Sequence, residues 1–418
     1  MQRIAIIGSG ISGLGAAWLL DGHADVTVFE AANRAGGHAN TVMVGEQPVD
    51  TGFIVLNDRN YPYFQALLAE LEVETIASDM SFAVSIGGGA IEWAGDNWRT
   101  LFAQKSLLVD RAHWRMIADI LRFNKQTKAL IADDALPSMS LGEFLDRHGY
   151  SEAFAARYLL PMAAAIWSTP TAGMRAFPVA AFLRFFDNHG LLEIANRPQW
   201  RTIVGGSQRY VQAIAKRLGP RLRLATPIAR VHRGPTSAQV ETAAGETLEF
   251  DQVIFACHAD TTCKLLSDAS MDERAILSAF DFQTNIAYLH SDTALMPRRR
   301  SVWAAWNYAA DRDVVDDQCV AVSYWMNRLQ SIPGPTEYIV SLNPLTEPAA
   351  SSRIREIEYD HPVFDAGAVA AQQKLPSIQG VNRAWFCGAW CGFGFHEDGL
   401  ASATRVAQGL GVTAPWTA

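Results

Sequence analysis

The sequence predicts an α/β fold, in which a Rossmann-type nucleotide-binding domain is joined to a second region of mixed sheet and helices. Three observations predict it. The chain opens on a buried strand, a glycine turn and a helix; a second strand ending in an acid follows at the spacing of a βαβ unit; and the middle of the chain mixes alternating strands with long helical patterns. The 418 residues, 49% of them hydrophobic, suffice for two or three domains around a large core.

A formal charge of −8 with 19% charged residues argues against a basic nucleic-acid track. Five cysteines, an odd number, read as the reduced thiols of a cytosolic protein rather than a disulfide framework. The opening "MQRIAIIGSG" enters a strand without the charged and apolar regions of a signal peptide. Apolar stretches such as "RYLLPMAAAIW" fall short of the roughly 20 residues of a spanning helix. The expected location is therefore cytosolic, with any membrane contact peripheral and on the inner face.

Ile4 to Ile7 form the first strand. Gly8 permits the tight turn after it, Gly10 lets the backbone approach a pyrophosphate, and Gly13 lets helix and strand pack closely. Ile11 and Ser12 open a helix with Ile11, Leu14, Trp18 and Leu19 on one stripe, and its free N–H groups suit phosphate charge. The next strand, "DVTVFE", ends in Glu30, where an acid binds ribose hydroxyls, with Ala31 beside it. Arg34 then supplies a cation for the pyrophosphate. Gly36 and Gly37 allow a second close approach before His38, and "VDTGFIVLN" brings Asp50, Gly52, Phe53 and Ile54.

This run of acid, Arg, paired glycines and a later acid and glycine (Glu30, Arg34, Gly36, Gly37, Asp50, Gly52) resembles the superfamily of flavin-containing amine oxidases, phytoene desaturases and protoporphyrinogen oxidases. The resemblance implies FAD, held without a covalent link. His38 stands where the superfamily usually has Arg. It also implies a glutathione reductase-like FAD domain that is discontinuous, formed by residues 1–59, 199–284 and 377–418, with a substrate domain inserted at 60–198 and 285–376. In the middle piece, Gly205 and Gly206 precede a helix, "LRLATPIARVHR" is a strand, and Ile228 is expected to hold the adenine through its backbone.

The first insert contains a hairpin, "FAVSI" and "AIEW", turned by Gly87 to Gly89, so the triple glycine is a turn and no phosphate loop. A long, largely helical stretch from "DNWRTLF" to "ADILRF" follows. The second insert has the strands "TNIAYLHS", "QCVAVSYWMN" and "EYIVSLN". No second strand-GxGxxG-helix unit appears. A substrate that itself reduces the flavin, in an oxidase or desaturase, is the expected consequence.

"FCGAWCGFGFHEDGLASA" near the C-terminus spaces Cys387, Cys391 and His396 as if for a metal, but no fourth ligand is evident nearby and no metal is expected. Cys387 reads as a buried thiol; Cys391 reads as packed, reactive or an attachment point. By the resemblance this loop, with Gly388, is the flavin's floor, and the helix beginning near Gly399 and Leu400 points its positive end at the flavin pyrimidine. His396 falls where amine oxidases place an aromatic on the substrate side, so it orients substrate, moves a proton or is a satisfied loop histidine.

"GFIVLNDRNYP", "LMPRRRSVWAAWNY" and "FCGAWCGFGFHEDG" resemble a bacterial subfamily whose members accompany enzymes that methylate or cyclopropanate unsaturated acyl chains. One branch resembles the desaturase of methylated acyl chains on the path to furan fatty acids. That implies a lipid substrate, with hydride passing to flavin N5 and oxygen or a quinone as electron acceptor. Tyr324, Trp303, Asn307 and His396 are the expected substrate-side residues, with Tyr324 and His396 as the catalytic candidates, and Arg298 to Arg300 form either a lipid-phosphate tip or a solvated turn. Amine oxidation is the rival, disfavoured because none of the six Lys lies in the strands expected over the flavin. A flavin-bearing lipid-binding accessory protein without turnover is the rival of another class.

Overall fold

A computed structural model describes residues 1–193, 197–313 and 320–416. Its first layer is a parallel sheet of five strands in the order Leu222–Arg223, Asp25–Phe29, Arg3–Ile7, Gln252–Phe255 and Ala384–Phe386, drawn from three separated stretches of chain. Strand alternation sends Ile4 and Ile6 into one core and Ala5 and Ile7 into another, so both faces are buried. The Ile11–Leu20 and His396–Gly409 helices cover the first face. They cross closely: a Cβ on Gly15 would stand 2.5 Å from Leu400 Cδ1. An antiparallel meander, Ile228–Arg233, Ala238–Thr242 and Thr247–Phe250, covers the second.

"LRLATPIARVHR" is not one strand. Ala225 takes φ +48° and Pro227 follows, so Leu222–Arg223 joins the parallel sheet and Ile228–Arg233 the meander.

The second layer is a seven-stranded sheet in the order Arg353–Val363, Asp281–His290, Ile339–Leu342, Ala321–Trp325, Trp306–Ala310, Phe82–Ile86 and Ile91–Ala94. Its pairings are antiparallel except where Trp306–Ala310 runs parallel to Phe82–Ile86. Gly87, Gly88 and Gly89 all have positive φ and turn the expected hairpin. Gln318 and Cys319 of the expected "QCVAVSYWMN" strand lie outside the described residues.

Helices pack beside this sheet. In Val179–Asn188 the buried Val179, Phe182, Leu183 and Phe186 follow the helical period. The long helical stretch breaks into Trp98–Leu101, a 3₁₀ turn at Lys105–Leu108 and Arg111–Ala132, because the Asp110 carboxylate accepts from Ala112 N and starts a new helix. Ahead of Leu160–Trp167 the helix widens into a π-type turn at Ala155–Leu159, since Pro161 has no N–H to give to the preceding turn.

Two segments pack differently from the expected division. Phe64, Leu67 and Leu68 of Pro62–Glu70 sit in the core under the parallel sheet, and Ala368 and Ala371 of Ala366–Lys374 pack on its other side. Boundaries at 60 and 376 put both segments in the substrate domain; their apolar faces assign them to the first layer.

Candidate active site

The glycine turn is built as its spacing requires. Gly8 has φ +105°, and a Cβ on Gly13 would lie 1.9 Å from Gly8 O, whereas Gly10 has open space before it. The Ile11–Leu20 helix starts without a side-chain cap, so its first N–H groups are left for a ligand, and Gly10, Ile11 and Ser12 line a cavity of about 1400 Å³. Glu30, also on the cavity wall, is locked in place: one oxygen accepts from Ser9 N at 2.9 Å and Ser9 Oγ at 2.6 Å, the other from Ala32 N at 2.9 Å. Ser9 was not singled out from the sequence, although it is the x of GxG.

Arg34 donates to Gly37 O at 2.9 Å, and Gly37 comes so close that a Cβ there would be 3.1 Å from Gly10 Cα. Gly36 lies just behind, its N–H bonded to Ser9 O. Gly52 presses on the His38 carbonyl, and Phe53 N donates to it at 2.8 Å. Ala31, Ile54, Ile228 and Gly388 line the same cavity; Gly13, Gly36, Gly399 and Leu400 do not. Gly399 acts from behind, since its Cα packs on Ile11 and Ser12 and brings the starts of the two long helices together. Asp50 is fully buried, accepting from Ser207 N and Oγ and from Thr41, and burial lifts its carboxyl to about 6. It ties the Thr41–Val44 strand to the Gln208–Leu218 helix.

His38 stacks on Tyr359 at 5.0 Å, with His361 at 5.3 Å and His258 at 6.4 Å. Burial, then the neighbouring imidazoles, hold His38 well below the usual histidine range, and burial lowers His361 to about 4. Where the superfamily has an arginine, this wall presents neutral rings.

Away from the glycine turn the lining combines an apolar arm, where Tyr158, Met162, Phe185, Trp306, Tyr324 and Phe395 belong to one cluster, with polar groups that include Asp79, Asp96, Arg197 and Arg328. Tyr324 meets Trp306 edge-on at 5.2 Å, and burial pushes its phenol up, so its hydroxyl keeps its proton. Trp303 and Asn307 are outside this lining. Trp303 Nε1 donates to Pro297 O at 2.7 Å, and the Asn307 amide bonds Ala304 and Ser323. On the Trp306–Ala310 strand neighbours face opposite sides, and Trp306 rather than Asn307 has the cavity side; Trp303 lies ahead of the strand, at the end of the Arg300–Val302 turn. Arg299 pairs with the buried Glu92, and Arg300 with Glu337, so both of these arginines tie the turn to neighbouring elements.

His396 faces the cavity, stacked on Phe53 at 3.8 Å with Nε2 3.0 Å from Tyr210 Oη. Burial lowers it to about 3, so the imidazole is neutral around pH 7 and a weak proton acceptor. Its ring is a neutral strut. His396→Asn should leave the rate of anaerobic flavin reduction by substrate within about threefold of the parent, whereas loss of a working base would lower it by about a hundredfold or more. Burial pushes Cys391 up to about 12 and Cys387 well above the usual thiol range, so both are packed, protonated thiols rather than nucleophiles.

Residues 11–290 match the model of the flavin containing amine oxidoreductase family. The flavin-containing monoamine oxidase AofH of Mycobacterium tuberculosis is 28% identical over 254 residues, 58% of this chain; the match spans 54% of AofH, about half the relative's length. Among solved structures, a putrescine oxidase variant superposes with a TM-score of 0.70 at 16% identity, covering 98% of both chains. The CLA-producing fatty acid isomerase from P. acnes superposes at 0.69 and 16%, covering 97% of this chain and 98% of its own. These two likenesses concern the fold. A family match over residues 11–290, together with a glycine turn and the Glu30 carboxylate on one cavity wall, means that this chain belongs to the flavin-containing amine oxidoreductase family and that its dinucleotide is FAD.

Proposed function

We propose that this chain is an FAD-dependent desaturase or dehydrogenase of methylated or otherwise modified fatty acyl chains of phospholipids. The observation that carries the reading is the apolar arm of the cavity, a slot walled by aromatic and aliphatic side chains from both the sheet and the helices. FAD, held by Gly10, Ile11, Ser12, Glu30 and Arg34, supplies the two-electron acceptor.

The chain's own residues bind and orient. Met162 and Ile166, one helical turn apart, hold the acyl chain from one side and Trp306 and Tyr324 from the other, and the proton lost with the hydride passes to water in the cavity. Electrons leave to oxygen or a quinone, and contact with a membrane is peripheral; no described helix is long and apolar enough to cross one. That one fold neighbour is a fatty acid isomerase supports a fold compatible with acyl substrates.

Amine oxidation is the second reading, favoured by the relatives' names. Against it, no Lys is among the described residues lining the cavity. Anaerobic bleaching of the flavin band decides. Methyl-branched unsaturated phospholipid should bleach it and gain a double bond; bleaching by simple amines alone selects the amine reading, and none by either leaves a flavin-bearing accessory protein.

A further inference from the structure

Among the described residues, five of the thirteen exposed large apolar side chains fall in one segment: Trp98, Leu108, Val109, Trp114 and Leu121. The others are scattered along the chain. Trp98 is 65% exposed yet ordered by its neighbours, stacked on Phe102 at 5.3 Å, with the Trp114 ring 5.0 Å from Phe102. Trp114 Nε1 donates to Leu108 O at 2.9 Å and fixes the turn that presents Leu108 and Val109. On the Arg111–Ala132 helix, Met116, Phe123 and Thr127 face inward, while Arg111, Trp114, Leu121 and Lys125 face solvent.

Charge marks the same face. Residues 98–125 hold six Lys and Arg against two Asp, in a chain of net charge −8. Both acids are engaged, Asp110 by Arg157 and Asp119 by Arg115 and Arg122, whereas Arg99, Lys105 and Arg111 are exposed. Indoles flanked by cations are the chemistry of the interface of an anionic bilayer. The face is also continuous with the cavity. Asp96 and Asn97 line it, and Asn97 caps the Trp98–Leu101 helix through Arg99 N and Thr100 N, so the aromatic cluster is anchored to the rim.

We propose that the surface formed by residues 98–125 docks on an anionic phospholipid bilayer and seats the rim of the cavity against it. This rests on the lipid reading for its purpose alone, because docking is read without turnover. The test is co-sedimentation of the FAD-loaded full chain with vesicles of phosphatidylglycerol and phosphatidylethanolamine, against phosphatidylcholine vesicles. Partitioning should be at least about tenfold stronger on the anionic vesicles and weaken with salt.

Trp98→Ser combined with Val109→Ser and Trp114→Ser should lower partitioning by about tenfold or more, with flavin content unchanged. Arg99→Ser with Lys105→Ser and Arg111→Ser should remove most of the salt dependence, and Met271→Ser, on an isolated exposed side chain, should change nothing. No binding to anionic vesicles, or an aromatic variant that binds as the parent does, overturns the proposal. So does a dimer in solution that the aromatic variant dissociates, since a second copy would then cover the face. Docking without lipid-driven bleaching would remove the substrate reading alone, and bleaching by detergent-dispersed lipid without docking would remove this inference alone.

Discussion

Glu30→Ala protein is expected to purify nearly colourless, with FAD affinity lower by about a hundredfold or more. Glu30 closes the Asp25–Phe29 strand and accepts three hydrogen bonds, from Ser9 N, Ser9 Oγ and Ala32 N. Those bonds fix its orientation before any ligand arrives, so a carboxylate with the proposed ribose contact would make it without reordering. Charge-assisted bonds of this kind contribute about 1.5–3 kcal/mol each, and each 1.4 kcal/mol is about tenfold in affinity. The loss also leaves Ser9 N without its acceptor beside the pyrophosphate turn. Fluorescence titration of apoprotein with FAD measures the effect. Glu30→Gln, which keeps acceptors but not the charge, should fall between, and an alanine variant that retains flavin as the parent does would remove Glu30 from the cofactor site.

The first fifty-odd residues were legible because their chemistry is local. Strand, turn, helix and acid follow one another at fixed spacing, and Gly8, Gly13 and Gly37 answer contacts within the same unit or with the piece that closes the cradle. The apolar arm was less legible because parity and burial are tertiary properties. Trp306 and Asn307 adjoin in sequence, yet the pairing with Phe82–Ile86 and Ala321–Trp325 gives the cavity to Trp306. Arg298 to Arg300 read as a lipid-phosphate tip or a solvated turn, and the pairing of Arg299 with Glu92, on another strand, is invisible to local spacing. His396 carries no mark in the sequence that Phe53 and Tyr210 would enclose it. Tyr158 and Met162 were hidden among other apolar residues of the helices; the Pro161 that widens the preceding turn was the one local signal available.

Filling the apolar arm separates substrate binding from the cofactor more sharply than any change near the glycine turn. Met162 and Ile166 both line the cavity and are only partly buried, so larger side chains there enter empty space before they strain the core. Met162→Trp with Ile166→Trp should retain FAD and remain fully reducible by dithionite, at a stability cost of about 1–3 kcal/mol. Lipid-driven bleaching should fall by about a hundredfold or more, because displacement of the reacting carbon by as little as an ångström has that effect on rate. Shortening the acyl chain should restore part of the rate in the variant while weakening binding to the parent, where each buried methylene contributes about 0.8 kcal/mol. An undiminished lipid rate in the double tryptophan variant would place the acyl chain elsewhere. The Trp306 and Tyr324 wall would then be the next to fill, since it lines the same cavity from the opposite layer.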